Sequence, residues 1–275
     1  MPEQTHLSRR FLKGTEKPDK DVQALFAITP VRKAILFIHG FHGDAIKTWS
    51  DFHLLLPECE KCIGQDIYFY GYDGLRAEMT ASAAMFRDFL DRLFIRTSTM
   101  INESLPSTAK RADDFSYDEL VIVAHSLGAV IARRALLDAT KSEKSWVLKI
   151  KLVLYAPAHC GASVAKLALE ASSSLPFIKY FAPLARLKSP LIDQLTPGSP
   201  DLTRLLDETL NACKNGNNPH LVACKVVIAE YEEIVRNDSF GNDPPPVAIP
   251  ETYHTTVCKP KVEFRKPLDH LEECL

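Results

Sequence analysis

The sequence lacks the features that would assign it to several special classes of protein. Among its 275 residues no apolar run approaches the roughly 18 residues that a transmembrane helix requires. The formal net charge is only -2, and both signs are mixed along the chain without the basic stripe that binds nucleic acid. There is also no internal repeat and no low-complexity segment. These absences argue against a membrane-spanning protein and against a nucleic-acid-binding one.

Cysteine is present seven times, but without the even number and regular spacing of a disulfide framework. We therefore expect reduced thiols and a cytoplasmic protein. Cys59 and Cys62 form a Cys-x-x-Cys pair, but no second pair and no nearby histidine cluster completes a zinc site. His39 and His42 lie in a glycine-containing loop, likewise without further ligands. The sequence thus predicts neither a metal nor any other cofactor.

The N-terminal stretch MPEQTHLSRRFLKGTEKPDKD is polar and lacks the apolar core of a secretory signal. We expect residues 1–30 to form a flexible or loosely docked lead-in and residues 31–275 to form one domain. Hydrophobic residues make up 46% of the chain and charged residues 25%, which is ordinary for a globular domain.

From about residue 33 onward, short apolar runs alternate with helical patterns. This alternation predicts an α/β fold with a mostly parallel central sheet and helices on both faces. Apolar residues at helical spacing predict one helix over 79–96 and a terminal helix over about 262–274. The strand-like runs are 34–40, 66–72, 120–124, 150–157, 225–230 and 247–251.

Residues 160–209 interrupt this alternation. They are apolar, helix-prone and cut by prolines, and they span about 50 residues where a plain return to the sheet needs roughly 15 to 20. We interpret them as a helical cap insertion, with ordinary crossover helices as the alternative. The segment SLPFIKYFAPLARLK (174–188) has an apolar face and several basic residues, which suggests peripheral contact with a membrane. Candidates for an acyl pocket, or else for the core of the cap, are Leu175, Phe177, Ile178, Tyr180 and Phe181.

The five residues from Ala124 to Gly128, read as AHSLG, lie between a strand-like run and an amphipathic helix pattern. Serine at such a turn, with small residues two positions before and after it, matches the nucleophile elbow G-x-S-x-G except for Ala124. The positive end of the following helix lies at the serine. We predict that Ser126 is a nucleophile and that the Leu127 N–H is an oxyanion donor. The alternative is a structural turn.

A base and a second oxyanion donor are also available. The loop that begins at His39 and Gly40 presents the backbone N–H of Phe41 as the second donor. His254 follows the last predicted strand in a loop that can return over the carboxyl edge of the sheet, and the other histidines are less well placed. We therefore predict His254 as the general base.

The acid should follow the strand 225–230, where the chain reads EYEEIVRNDSFGND. Glu230, Glu232, Glu233 and Asp238 all qualify by position. Glu232 matches best because it lies two residues past the strand, before an apolar pair that re-enters the core. Glu230 is the alternative acid, and the choice between them stays open from the sequence.

These motifs resemble the α/β-hydrolase superfamily, and within it the lipase- and esterase-like branch that includes GPI-inositol-deacylase-like and serine-active-site-containing proteins. The resemblance runs from about Lys33 to the C-terminus. It implies hydrolysis of a carboxylic ester, often of a lipid, by a Ser-acid-His triad without a metal. Ala124 and a glutamate acid depart from the common pattern. The motifs that carry the resemblance are FIHGFHGDAIKTW, VIVAHSLGAVIARRAL, APAHCGAS, LTPGSPDLTRL and HTTVCKP.

Other functions are compatible with the same residues. An acyltransferase or an amidase would use the same triad, with a different acceptor or substrate. A non-catalytic interaction protein that keeps the hydrolase fold is a further alternative, with the apolar cap as its surface. A complete serine, acid and histidine set favours an enzyme acting on a small-molecule or lipid ester.

Overall fold

The computed structural model describes residues 5–12, 22–74, 78–163, 166, 190–216, 218–236 and 238–275. The strands of these described ranges form one eight-stranded sheet in the order β1-β2-β4-β3-β5-β6-β7-β8. The strands are β1 (His6–Leu12), β2 (Val22–Ala27), β3 (Lys33–Ile38), β4 (Asp66–Tyr70), β5 (Glu119–His125), β6 (Ile150–Tyr155), β7 (Lys225–Tyr231) and β8 (Val247–Tyr253).

Six neighbouring strands of this sheet run parallel to one another, namely β4, β3, β5, β6, β7 and β8. The inner positions of β3, β4 and β5 are apolar because helices cover both faces of a parallel sheet. Strand β4 is buried at every position, and β5 is buried at every position after its first. The prediction of an α/β fold with a mostly parallel sheet is confirmed.

The helices of the described ranges connect and cover these strands. They are α1 (Phe52–Leu55), α2 (Met79–Ile95), α3 (Thr97–Asn102), α4 (Leu127–Lys141), α5 (Pro190–Leu195), α6 (Pro200–Asn215) and α7 (Lys266–Glu272). The helix predicted over 79–96 is present as α2. The terminal helix begins at Lys266, later than predicted, with a proline in its first turn where the ring is tolerated. No helix in the described ranges is long and apolar enough to cross a membrane.

The expected lead-in over residues 1–30 is wrong for its described part. Strands β1 and β2 pair antiparallel with each other, and β2 continues the sheet by pairing antiparallel with β4. Phe26 is fully buried, and the buried carboxylate of Asp66 accepts a hydrogen bond from the Ala27 N–H at 2.9 Å. The guanidinium of Arg111 donates to the same carboxylate at 2.8 Å and to the Ala27 carbonyl at 2.9 Å, so this buried ion pair also holds the end of β2 beside β4.

The predicted cap is described only in part. Helix α5 and the first part of α6 lie within the range 160–209. Residues 164–165 and 167–189 lie outside the described residues, and with them the membrane-contact segment 174–188 and the five acyl-pocket candidates. The cap therefore stays a prediction.

Candidate active site

Ser126 occupies a sharp turn between the end of β5 and the start of α4. Its backbone has φ 53° and ψ -121°, a conformation that costs free energy for a residue with a side chain. The Ser126 N–H donates to the Tyr155 carbonyl at 3.0 Å, and the Ser126 carbonyl accepts from the Ala129 N–H at 3.1 Å. The turn is thus held from β6 on one side and from α4 on the other.

Two glycines allow the backbone to approach this turn closely. A methyl group on Gly128 would lie 2.4 Å from the carbonyl oxygens of both Ile38 and His39. A methyl group on Gly40 would lie 2.8 Å from the Cβ of Ser126. Only glycine fits at either position, because real Cβ contacts are longer than these distances. Ala124 is fully buried within β5, where its methyl group is accommodated.

His254 lies one residue beyond the end of β8, with its ring against Ser126. The Ser126 hydroxyl lies 3.0 Å from His254 Nε2, within hydrogen-bonding distance. Both residues are buried, with about 1% of each exposed. The structure therefore brings the predicted nucleophile and the predicted base together.

Of the four candidate acids, Glu232 contacts the histidine. His254 Nδ1 lies 3.1 Å from each carboxylate oxygen of Glu232. The same Oε1 accepts hydrogen bonds from the N–H groups of Ile234 at 2.9 Å and Val235 at 3.1 Å. The backbone thus holds this carboxylate in place, and its side chain is 1% exposed.

The other three acids are exposed, and two of them have other partners. Glu230 is exposed and accepts a hydrogen bond from the Glu251 N–H at 2.9 Å. Glu233 pairs with Lys166 at 3.1 Å on the surface. Asp238 is also exposed. The alternative acid Glu230 therefore does not meet His254 in this structure.

The two predicted oxyanion donors flank Ser126. Leu127 is the first residue of α4, and the first amide groups of a helix have no acceptor within that helix. Phe41 follows Gly40, whose backbone lies against the Ser126 side chain. Both backbone N–H groups thus belong to segments that meet at the serine.

His125 has a contact that the sequence reasoning missed. Its ring packs against the ring of His254, with the ring centroids 5.0 Å apart. His125 Nε2 lies 2.9 Å from the His254 carbonyl oxygen, so its N–H donates to that backbone. Burial holds the pKa of His125 well below its usual value, so the ring is neutral. No spacing signal in the sequence indicates this contact.

His39 and His159 are buried outside the chain of contacts from Ser126 to Glu232. The His39 ring stacks on Tyr72 with the ring centroids 4.4 Å apart, and its Nε2 accepts from the Tyr72 N–H at 3.3 Å, so it supports the loop. His159 lies 3.2 Å from the buried guanidinium of Arg133. Burial lowers the pKa of His159 well below its usual value, and the Arg133 charge adds to that effect.

Cys59 and Cys62 are buried, and both are free cysteines. Within the described residues no three His, Cys, Asp or Glu side chains form a group that could hold a metal ion.

Comparison with known proteins identifies the fold of this chain. No family model matches the chain. The human protein SERAC1 is 22% identical in an alignment that covers 90% of this chain but only 39% of SERAC1. The chain thus spans about two fifths of the curated relative that it matches.

Solved structures match over nearly the whole chain. The mature lipase BlEst2 of Bacillus licheniformis superposes with a TM-score of 0.53 at 14% identity, covering 96% of this chain and 95% of its own. The peroxisomal α/β-hydrolase Lpx1 of Saccharomyces cerevisiae gives 0.54 at 11% identity, with 98% and 89% covered. Esterase B of Lactobacillus rhamnosis, inhibited by a tributyrin phosphonate, gives 0.52 at 14% identity, with 99% and 84% covered. The chain has the α/β-hydrolase fold.

Proposed function

We propose that this protein is a serine hydrolase that cleaves a carboxylic ester through an acyl-enzyme. The observation that carries the proposal is the continuous contact from Ser126 Oγ to His254 Nε2 and from His254 Nδ1 to Glu232. Serine is a weak nucleophile unless a base takes its proton, and a base works best when a third group fixes its tautomer.

Glu232 accepts the Nδ1 proton of His254, which leaves Nε2 free to accept a proton from Ser126. As Ser126 Oγ attacks the ester carbonyl, its proton moves to Nε2, and the carboxylate stabilises the imidazolium that forms. His254 then donates this proton to the leaving alcohol. In the second half of the reaction a water molecule loses a proton to His254 and attacks the acyl group, which releases the acid and restores Ser126.

The negative charge on the tetrahedral oxygen requires donors that are already in place. The N–H groups of Leu127 and Phe41 are our candidates, and one such donor is worth on the order of 3 kcal/mol of the barrier. The N-terminal end of α4 adds a partial positive charge at the same point.

The choice of an ester over an amide, and of a lipid or other acyl ester as substrate class, follows the structural neighbours named as a lipase and an esterase. An acyltransferase would form the same acyl-enzyme and pass it to an acceptor other than water. The seven cysteines, all free in the structure, support a cytoplasmic location as part of the proposal.

The first test is labelling of the purified protein with a fluorophosphonate, with the modified residue mapped by tandem mass spectrometry. We expect a single adduct on Ser126, absent from Ser126→Ala and from His254→Ala. Folded protein without an adduct would contradict the proposal and favour a non-catalytic interaction protein. A chain-length series of p-nitrophenyl esters, with and without an alcohol or amine acceptor, then separates hydrolysis from acyl transfer.

A further inference from the structure

Residues 161–163, the linking segment, are hydrogen-bonded on two sides. On one side the Ala162 N–H donates to the Leu195 carbonyl at the end of α5, at 2.9 Å. On the other side the segment pairs antiparallel with residues 234–236, with Ala162 opposite Val235. Ala162, Leu195 and Val235 are all buried, so these contacts are shielded from water. The linking segment thus joins the end of α5 to the residues that follow β7.

The same segment holds the backbone that orients the proposed acid. The Ser163 N–H donates to the Ile234 carbonyl at 2.8 Å. The N–H of the same residue, Ile234, donates to the Glu232 carboxylate at 2.9 Å. Two residues further along, the Arg236 N–H donates to the Gly161 carbonyl at 3.2 Å. A single residue therefore separates the linking segment from the side chain of the acid.

Gly161 fits its position because it has no side chain. Its φ of 98° and ψ of 163° lie in a region that residues with a Cβ rarely adopt. A methyl group on Gly161 would lie 2.4 Å from Pro197 Cα and 2.6 Å from Pro197 N, closer than real Cβ contacts. Both are backbone atoms, which cannot rotate away as the end of a side chain can. The linking segment therefore lies directly against the turn that joins α5 to α6.

This turn between α5 and α6 is itself fixed by hydrogen bonds. The Ser199 hydroxyl donates to the Gln194 carbonyl at 2.6 Å and accepts from the Leu202 N–H at 3.3 Å, where it caps the start of α6. The Gln194 side chain accepts from the Met79 N–H at 3.1 Å, at the start of α2. The ring of Pro197 restricts the backbone further. Contacts thus run from α2 and α6 through the turn to the linking segment.

We propose that Gly161 is a positioning residue for the triad, and that its close fit against Pro197 sets the position of Glu232 beside His254. A methyl group at position 161 displaces the linking segment from the turn. Because that segment is bonded to Ile234, the displacement moves the carboxylate away from Nδ1 of His254, which it now meets at 3.1 Å. The effect on catalysis rests on the proposed ester hydrolysis, whereas the position of the carboxylate does not.

Gly161→Ala and Gly198→Ala are the matched variants. Gly198 also has a positive φ, 79°, but a methyl group there would meet nothing within 4 Å. We expect Gly161→Ala to lower kcat for p-nitrophenyl butyrate about tenfold to hundredfold with little change in KM, because a hydrogen bond to a charged group is lost. Gly198→Ala should leave both constants close to those of the wild type. Equal losses in the two variants, or an unchanged kcat in Gly161→Ala, would overturn the proposal.

The NMR signal of the His254 Nδ1 proton gives a readout that needs no turnover. In ¹⁵N-labelled protein this proton, held by Glu232, should resonate far downfield, and its absence from His254→Ala assigns it. We expect the signal in the wild type and in Gly198→Ala, and its loss or upfield shift in Gly161→Ala. A signal that is absent from the wild type or unchanged in Gly161→Ala would overturn the positioning role. The expected signals in a wild type that cleaves no ester would contradict the proposed function alone.

Pro197→Gly tests the contact itself and covers a Gly161→Ala variant that does not fold. Glycine at position 197 loosens the turn, so Pro197→Gly alone should lower kcat roughly twofold to fivefold and weaken the Nδ1 proton signal. In the double variant the turn can retreat from the added methyl group, so kcat should exceed that of Gly161→Ala. Losses that simply add in the double variant, or a Pro197→Gly variant with wild-type kcat and signal, would show that the two positions are not coupled and would overturn the proposal.

Discussion

Replacing Glu232 with glutamine removes one negative charge from the proposed triad and keeps the shape of the side chain. In the wild type the carboxylate lies 3.1 Å from His254 Nδ1, where it stabilises the imidazolium that forms as Ser126 attacks. Two unit charges about 4 Å apart interact by about 4 kcal/mol at an effective dielectric constant of about 20. Loss of this charge–charge interaction predicts a fall in kcat of roughly 10³-fold.

The backbone around Glu232 determines how the glutamine would sit. The N–H groups of Ile234 and Val235 both donate to Oε1, so the amide oxygen must occupy that position. The amide nitrogen then takes the position of Oε2, where its N–H groups face the Nδ1–H of His254. The Nδ1–H of His254 then keeps a bond only to the amide oxygen, beside a competing donor. The neutral amide also no longer stabilises the imidazolium.

Glu230→Gln is the matched control, because Glu230 is exposed and a glutamine oxygen still accepts from the Glu251 N–H. We expect it to change kcat less than twofold. The assay is hydrolysis of p-nitrophenyl butyrate by purified variants whose melting temperatures match that of the wild type. Equal activity in Glu232→Gln and Glu230→Gln would refute the assignment of the acid.

Three further predictions follow from buried groups near the site. His125→Phe keeps a ring beside His254 but removes the N–H that donates to the His254 carbonyl. This variant should lower kcat about tenfold with little change in KM, because a lost hydrogen bond is worth about 1 kcal/mol or more. An unchanged kcat would show that the contact is not needed. Gly128→Ala should lower the free energy of unfolding by about 1 to 3 kcal/mol and also reduce fluorophosphonate labelling, because the methyl group displaces the backbone of residues 38–39. Gly216→Ala should do neither, because the added methyl group would come closer than 3.7 Å only to the end of the Asn218 side chain, at 2.9 Å. Finally, His125 and His159 have pKa values well below 6.5 in the folded chain, so the unfolded chain binds more protons at acid pH. The free energy of unfolding, measured in urea, should therefore fall as pH decreases below about 6.5, by up to about 1.4 kcal/mol per pH unit for each histidine. A free energy of unfolding that stays constant between pH 7 and 5 would contradict this prediction.

The sequence predicts the parts of the fold that depend on local patterns. The six parallel strands and α2 follow from apolar runs and helical periodicity, and the turn at Ser126 follows from five consecutive residues. The strands β1 and β2 were missed because an edge hairpin is stabilised by pairing with distant residues. The contact between Ala27 and Asp66, which fixes β2, joins positions 39 residues apart and has no local signal.

The direction of a single side chain at the end of a strand is equally hard to predict. His125 ends β5 directly before the strained Ser126, where the regular alternation of the strand stops. Its ring position depends on where the segment after β8 returns, since its hydrogen-bond partner is the carbonyl of His254. The sequence contains both histidines but not the distance between them.

The contact between the proposed acid and base shows why strand register matters for this site. Tyr231 at the end of β7 is the register partner of Tyr253 at the end of β8, and the two rings lie 5.3 Å apart. The residues directly after the two strands are Glu232 and His254, so parallel pairing brings the two side chains to the same point. An irregularity in the pairing between Ala229 and Tyr231 sets this register. Because side chains alternate along a strand, a slip by one residue would bring the side chain of Glu233 or Tyr231 to the histidine instead. The position of the acid therefore follows from the pairing of two strands, which explains why the sequence left Glu230 and Glu232 as alternatives and why the folded sheet separates them.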